Sequence, residues 1–477
     1  MNRILAASLG LVGASAVLLG LAICLVDTPP RLLGPYVERR LSGHHRLVVD
    51  VGRRLARTLV ALDRGDVRPA APLALPLPAV TDMASAPRAA DSRSRVVWVA
   101  SSEQARRAIA HARPGDAITF APGTYRFDGP TLEVRQPGTK DAGISVRPER
   151  AGSVVLVFDI SEGFLVSAPW WSFENLTIRG ACRDHSDCEH AFHVVAGAAH
   201  FVARNNTIVD FNSHFKINGS DGRMPDHGLI EGNRLSNTSA RDTDQPVVLI
   251  DLVAASHWVV RGNLISDFAK RRPGAVSFGA YAKGGGSDNR FERNVVVCES
   301  TLRGASGQHV GLSLGGGGTA ASYCRDGRCI TEQERGVVDS NLIAACSDDG
   351  IHLNRAAASR IVHNTLIDTG GISVRFAQSN AEVEGNLVDG PIRSRDDGAL
   401  HASDNLQTSL ARLYLGSHPL RELYRDAGTL DLAWRGAAPR RAAGDPVSAD
   451  LCGVPRPARP AYGAFENIAA CPGQAHP

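Results

Sequence analysis

The sequence predicts an all-β protein, a right-handed parallel β-helix, and three observations carry that expectation. An Asn followed at once by a short β-branched or leucine run recurs eight times, at Asn175, Asn206, Asn233, Asn263, Asn294, Asn341, Asn364 and Asn386. Successive copies lie 22 to 47 residues apart, a spacing that marks a solenoid. Each run spans only three to five residues after a polar turn residue, too short for the helices that other repeats of similar period need. A strand–turn–strand unit of this size cannot cover its own apolar face. Copies must stack, which brings the Asn side chains into register so that each amide bonds to the next coil.

Composition agrees with this and excludes other classes. The 477 residues include 48 Gly and only 5% aromatics, suiting many tight turns and thin strands. Lys and Arg total 52 against 49 Asp and Glu, a net charge of +3. A balance so even gives no reason to expect nucleic acid as a partner, and a monomer is expected.

The elements follow in chain order. After Arg3, residues 4–26 are 23 consecutive uncharged, mostly apolar positions, longer than the ~7–15 of a signal-peptide core and close to the ~20 that span a bilayer. A transmembrane signal anchor over residues 1–28 is expected, with the rest of the chain facing the periplasm or cell exterior; a cleaved signal peptide, leaving a secreted protein, is the other reading. Of nine cysteines, Cys24 lies in that segment. The remaining eight include the close pairs Cys182/Cys188 and Cys324/Cys329 and a Cys452/Cys471 clasp, and an even number suits disulfides in an oxidising compartment. Zinc is the alternative for such spacings.

Residues 29–95 read as a basic helical stalk followed by a Pro/Ala-rich linker. Over residues 36–66, Val48, Val49, Val51, Leu55 and Leu59 oppose Arg53, Arg54, Arg57 and Arg64. Such a helix stands as a stalk or lies on anionic lipid. The β-helix itself is placed at residues 96–408. Its 47-residue interval between Asn294 and Asn341 holds the Cys324/Cys329 loop, as an insertion or an unmarked extra coil. Residues 409–477 read as the cap closing the last coil, whose edge would otherwise be unpaired.

Asp116-Ala-Ile-Thr-Phe-Ala-Pro-Gly-Thr-Tyr125, after an amphipathic helix at residues 101–112, resembles the N-terminal cap and first coil of pectate-lyase-like β-helix proteins, notably the chondroitinase B and alginate lyase family. The resemblance covers roughly residues 96–405. It implies the fold; the same scaffold carries lyases, hydrolases, epimerases and phage adhesins.

A second short strand precedes most of the marker Asn, and its period-2 alternation tells which side chains point outward. His193, Lys216, Asp251, Tyr281, Lys283, Ser313, His352, Ser373 and Arg375 fall on the outer face. Stacking at ~4.8 Å would form one column of His193, Lys216, Asp251, Lys283, Ser313, His352 and Arg375. Two of the four lysines of the chain, Lys140, Lys216, Lys270 and Lys283, are on it. A cationic groove of this kind fits an extended acidic polysaccharide, although a lone outward Lys, Arg or His is most often plain surface.

Eliminating across a uronate requires a cation to neutralise the carboxylate, a base for the C5 proton and an acid for the leaving oxygen. A lysine serves as base only if its pKa falls, through burial or a neighbouring cation. Lys283 is the candidate, with Lys216 and Asp251 beside it; His193, Tyr281, His352 and Arg375 are candidate substrate contacts. The segment Lys283-Gly-Gly-Gly-Ser-Asp-Asn289 resembles the Lys-Ser-Ser-x-Asn element of chondroitinase B and alginate lyases with two residues added, which implies Lys283 as base. The same resemblance implies a catalytic Arg at a place that here falls near Ser306. No Arg matches, so Arg303 or His309 would substitute.

Carboxylates supply a rival chemistry. Ser347-Asp348-Asp349-Gly350-Ile351 resembles the Asp-Asp-Gly-Ile element of β-helix sugar hydrolases, which implies an acid and base pair; an Asx turn is the plainer reading. Asp242, Asp244 and Asp251 offer oxygen ligands for Ca2+, the one cofactor the sequence suggests, although carboxylates next to a turn are usually just solvated. A non-catalytic glycan-binding or envelope solenoid is the reading from a different class. The Gly315–Gly318 run lacks the Lys-Ser/Thr and helix of a phosphate loop and reads as close packing or substrate approach.

Overall fold

The structure is a computed structural model that describes residues 27–65, 67–68, 95–272, 274–442 and 449–471. Three long parallel sheets, of 12, 11 and 10 strands, run side by side, and each coil of the chain contributes one strand to each. Trp171–Glu174, Thr177–Gly180 and His190–Val195 form one such coil; Val202–Arg204, Thr207–Val209 and Ser213–Asn218 form the next. The chain is therefore a parallel β-helix, as expected.

The repeated Asn marks the corner between the 12-stranded and 11-stranded sheets. Asn206 Nδ2 donates to Asn233 Oδ1 at 3.0 Å, and the chain of amides continues through Asn263, Asn294, Asn341, Asn364 and Asn386 to Asn405. Each Oδ1 also accepts the main-chain N–H of the rung before it. The corner turns sharply because the preceding residue is left-handed, as at Asn205 (φ 54°), Gly232 (67°), Gly262 (63°) and His363 (54°). Gly and Asn tolerate that region best and hold it at four of the seven rungs from Asn206 to Asn386; Arg293, Ser340 and His363 take it at the others. Asn175 is not a rung. It holds the left-handed position (φ 61°), and Leu176 takes the corner, donating its N–H to Asn206 Oδ1.

The 47-residue interval is one coil with an insertion. Asn294 reaches Asn341 directly at 2.9 Å, and residues 315–332 leave the coil as a loop pinned by the Cys324–Cys329 disulfide. Cys182–Cys188 and Cys452–Cys471 also form, together with Cys298–Cys346. These bonds leave no thiolates for zinc among the described cysteines.

Inside the coils, equivalent positions stack like upon like. Phe164, Phe192 and Phe215 are parallel at 5.1 and 5.3 Å, and aliphatic residues continue the row through Ile250, Leu312 and Ile351. Helix α1 (Pro30–Leu41), helix α2 (Arg46–Arg64) and helix α3 (Ser102–Ala110) flank the solenoid. The last buries Ala105 and Ile109 over the first coil, and Ser101 caps it by accepting the Gln104 N–H.

Two segments depart from the expected layout. Leu264–Ser266, Val295–Val297 and Leu342–Ala344 are buried on both faces; such unalternating runs need cover outside as well as inside. The C-terminal segment supplies it. Tyr424, Leu432 and Phe465 pack on Leu264, Val295, Val297, Leu342, Ile367 and Leu387, so this segment lies along the side of five coils. Val67, at the start of the expected linker, is buried in the same cluster. The expected single stalk helix is a hairpin of α1 and α2 folded back on the coil. Arg31 donates to the Asp63 carboxylate and to Cys346 O and pairs with Asp368, while Arg64 pairs with Glu299 and Asp368. Among the described residues no helix is long and apolar enough to cross a membrane; the anchor expected within residues 1–28, with Cys24, and the linker beyond Arg68 lie outside them, apart from residues 27 and 28.

Candidate functional site

The outer face of the ten-stranded sheet carries the expected column, with two substitutions. His193, Lys216, Asp251, Tyr281, Ser313, His352, Ser373 and Arg393 are successive partners in register. Lys283 and Arg375 are two residues further along their strands, opposite Val253 and Asn354. They form a parallel row, because Tyr281 and Ser373 already occupy the column.

Lys216, Asp251, Tyr281 and Lys283 come together on three adjacent strands, Ser213–Asn218, Val248–Val253 and Val276–Lys283. Lys216 Nζ lies 2.7 Å from Asp251 Oδ2, and Asp251 Oδ1 has no hydrogen-bond partner. The Lys283 ammonium sits 4.6 Å from the centre of the Tyr281 ring. Among the described residues it takes no hydrogen bond or ion pair. Burial lowers its pKa from the usual lysine value; Lys216 adds to this, while Asp251 and Glu332 oppose it. Burial, then the Asp251 carboxylate, raises the Tyr281 phenol well above its usual range, so it keeps its proton.

The inserted loop builds one wall. Gly316 lies against the Lys283 stem, where an added Cβ would be 2.7 Å from Cδ, and at Gly315 (φ 73°) it would be 1.9 Å from Asn354 O. The glycine run is thus close packing around the lysine. Buried Glu332 accepts the Gly284 N–H and the Thr319 hydroxyl, and Arg325 ties the loop to Asp226 at 2.8 Å. Phe278, edge-on to Tyr281 at 5.3 Å, forms an apolar shoulder with Val248 and Met224. The sequence reading missed Glu332 and Phe278. Alternation hides Phe278, placing it inward with Ala280 and Ala282, whereas it packs outside with Tyr281; Glu332 arrives on an insertion and leaves no periodic signal.

Other expected site residues go elsewhere. Arg303 and His309 are not in the groove: His309 Nδ1 bonds Glu299 Oε1 at 2.8 Å and Arg303 approaches Asp368 at 3.4 Å, in the same buried ion network as Arg31 and Arg64. The suggested Ca2+ ligands do not assemble, because Asp242 faces Arg271, Asp244 faces Arg272, and Asp251 pairs with Lys216. His193 lies on the groove between Glu162 and Asn218. His352 and Arg375 line a separate cavity of about 650 Å³ with Asp348, Asp349 and, from α1, Leu32, Leu33 and Tyr36. There Asp349 pairs with Arg393 at 2.9 Å and Asp348 accepts from Gln308 at 2.7 Å. Burial, then the neighbouring Asp349 charge, pushes the Asp348 carboxyl up.

No protein-family model and no curated protein sequence matches this chain. Solved structures do. The pectate lyase Pel9A is similar at a TM-score of 0.50 and 14% identity, over 79% of this chain and 98% of that one. A rhamnogalacturonan lyase is similar at 0.45 and 12%, over 66% and 87%, and an alginate lyase from Paenibacillus sp. str. FPU-7 at 0.36 and 14%, over 65% and 99%. The likeness is one of fold: the chain shares the parallel β-helix of Pel9A.

Proposed function

We propose that this chain acts on an acidic polysaccharide by β-elimination at a uronate. The observation that carries the reading is Lys283, a half-buried ammonium without an ion pair among the described residues, set beside the Lys216–Asp251 pair on the outer face of the sheet. Lysine in such a place is easily deprotonated and serves as a general base. Lys283 takes the C5 proton, and the C5–H electron pair forms the C4–C5 double bond. The bond from C4 to the glycosidic oxygen breaks, and that oxygen is protonated by Tyr281, whose phenol holds its proton. Lys216, a quarter exposed, faces the substrate carboxylate and stabilises the charge that grows on it.

A lyase releases an unsaturated, ultraviolet-absorbing sugar end. Alginate, pectate and glycosaminoglycans are screened for that absorbance, with Lys283→Ala as control. Absorbance that persists in Lys283→Ala removes the base assignment. A glycoside hydrolase centred on Asp348 and Asp349 is the second reading, favoured by the cavity they line and the raised Asp348 carboxyl; it predicts reducing ends without the absorbance. A non-catalytic binder gives neither.

The reading includes an extracytoplasmic, membrane-apposed location. It is supported by four disulfides and by the outer side of α2, where Leu47, Val51 and Leu55 are exposed among Arg46, Arg53, Arg54 and Arg57. An apolar stripe bordered by arginines suits an anionic bilayer surface. Co-sedimentation with anionic vesicles that survives Leu47→Ser/Val51→Ser/Leu55→Ser removes this part.

A further inference from the structure

A second group of titratable side chains stands one strand from Lys216 and takes no part in the reaction above. Glu162 opens the strand Glu162–Val166, and His190 and His193 lie on the adjacent strand His190–Val195. His190 is in register with Glu162, and His193 with Lys216. One ligand atom from each of Glu162, His190 and His193 lies within 4.8 Å of the other two. Glu189 joins them, its Oε1 3.5 Å from His190 Nε2. His193 spans the group, with Nδ1 2.7 Å from Glu162 Oε1 and Nε2 2.8 Å from Asn218 Oδ1.

Two features show that these contacts do not complete the group. His190 is only 7% exposed, yet its Nδ1 has no hydrogen-bond partner. A buried ring nitrogen without a partner is costly in a folded protein. Glu162 and Glu189 also converge there, while Lys216, in register with His193, is engaged by Asp251.

We propose that Glu162, His190 and His193 bind a divalent transition metal of the Zn2+ class. Two imidazoles and a carboxylate form a donor set for a borderline metal, whereas Ca2+ and Mg2+ prefer oxygen alone. Glu189 is placed to complete the set or to orient His190. The proposal is independent of the lyase reading, since none of its ligands is assigned a step there.

The full chain, stripped with a chelator, is dialysed against Zn2+ and its metal content measured, and Co2+ is added to a second sample for visible absorption. One tightly held Zn2+ per chain is expected, with Co2+ bands of a nitrogen and oxygen donor set. Glu162→Gln and His193→Asn, checked for folding by circular dichroism, should each weaken Zn2+ by more than about tenfold, the loss that follows even from removing an outer partner. Absence of stoichiometric Zn2+, unchanged affinity in both folded variants, or displacement of Zn2+ by equimolar Ca2+ overturns the site. Should both variants unfold, the Co2+ spectrum of the parent chain decides alone, and its absence is equally fatal.

Discussion

The outer face of the ten-stranded sheet behaves differently along its length, although one register runs through all of it. From His193 to Lys283 the face is an open groove: His193 and Lys216 reach solvent above buried Asp251 and Tyr281. From Ser313 to Arg393 it is closed. Ser313 and Ser373 are fully buried, Arg393 nearly so, and α1 walls the cavity over His352. Register in a parallel solenoid therefore fixes which way a side chain points. Whether it reaches solvent depends on what distant sequence lays over it.

The largest effect that would sharpen this contrast is catalytic. Lys283→Ala should lower the elimination rate on the order of 10²–10⁴-fold while leaving the melting temperature nearly unchanged. Because burial lowers the Lys283 pKa, the parent rate should rise with pH along a limb centred below the ordinary lysine value. A limb at that ordinary value would mean the groove is as wet as any surface.

Next in size is the contact that closes the other half. Arg31→Ala takes from buried Asp63 its ion partner and from Asp368 one of three arginines, a loss of about 3–5 kcal/mol. Urea unfolding should show it, and hydrogen exchange should rise across α1 and the strand Gln308–Leu314 but not across Ser213–Asn218. Uniform exchange along the sheet would erase the distinction.

Asn263→Ala tests the frame that both halves share. It removes bonds to Ile230 O, Asn294 and the Asn233 amides, at about 2–3 kcal/mol for the buried groups left unpaired.

Acid should also loosen the closed half first. Burial alone would raise the Glu299 carboxyl, yet the His309 hydrogen bond and the Arg64 charge bring it down to about 2. A carboxyl held below its unfolded value of about 4.3 stabilises fully above that value and loses the contribution as pH falls toward about 2. Glu299→Gln should flatten the fall in melting temperature over that interval. The smallest effect is expected at Asp348→Asn, which should leave elimination products within about twofold if the open half alone does the chemistry.

Much of this architecture was legible in the sequence, because a solenoid writes its period into the chain. The Asn rungs, the inward Phe192 and Phe215 and the outward Lys216 all follow from local spacing. Asn175 misled because both residues of the corner favour Asn, one for its amide ladder and one for its left-handed backbone. Arg303 and His309 were drawn toward the groove by a resemblance; their partners, Glu299, Asp368 and Arg64, are set by tertiary contacts that no local pattern records. The covering of Leu264, Val295 and Leu342 was visible as unbroken apolar runs, but not which segment would supply it.

The amide ladder measures coils and ignores residues. A 22-residue coil between Asn364 and Asn386 and a 47-residue coil between Asn294 and Asn341 contribute rungs of 3.0 and 2.9 Å. Loops far from that corner are thus free to lengthen without disturbing the scaffold's metre, so new walls such as residues 315–332 can be grafted beside Lys283 while the spine stays constant.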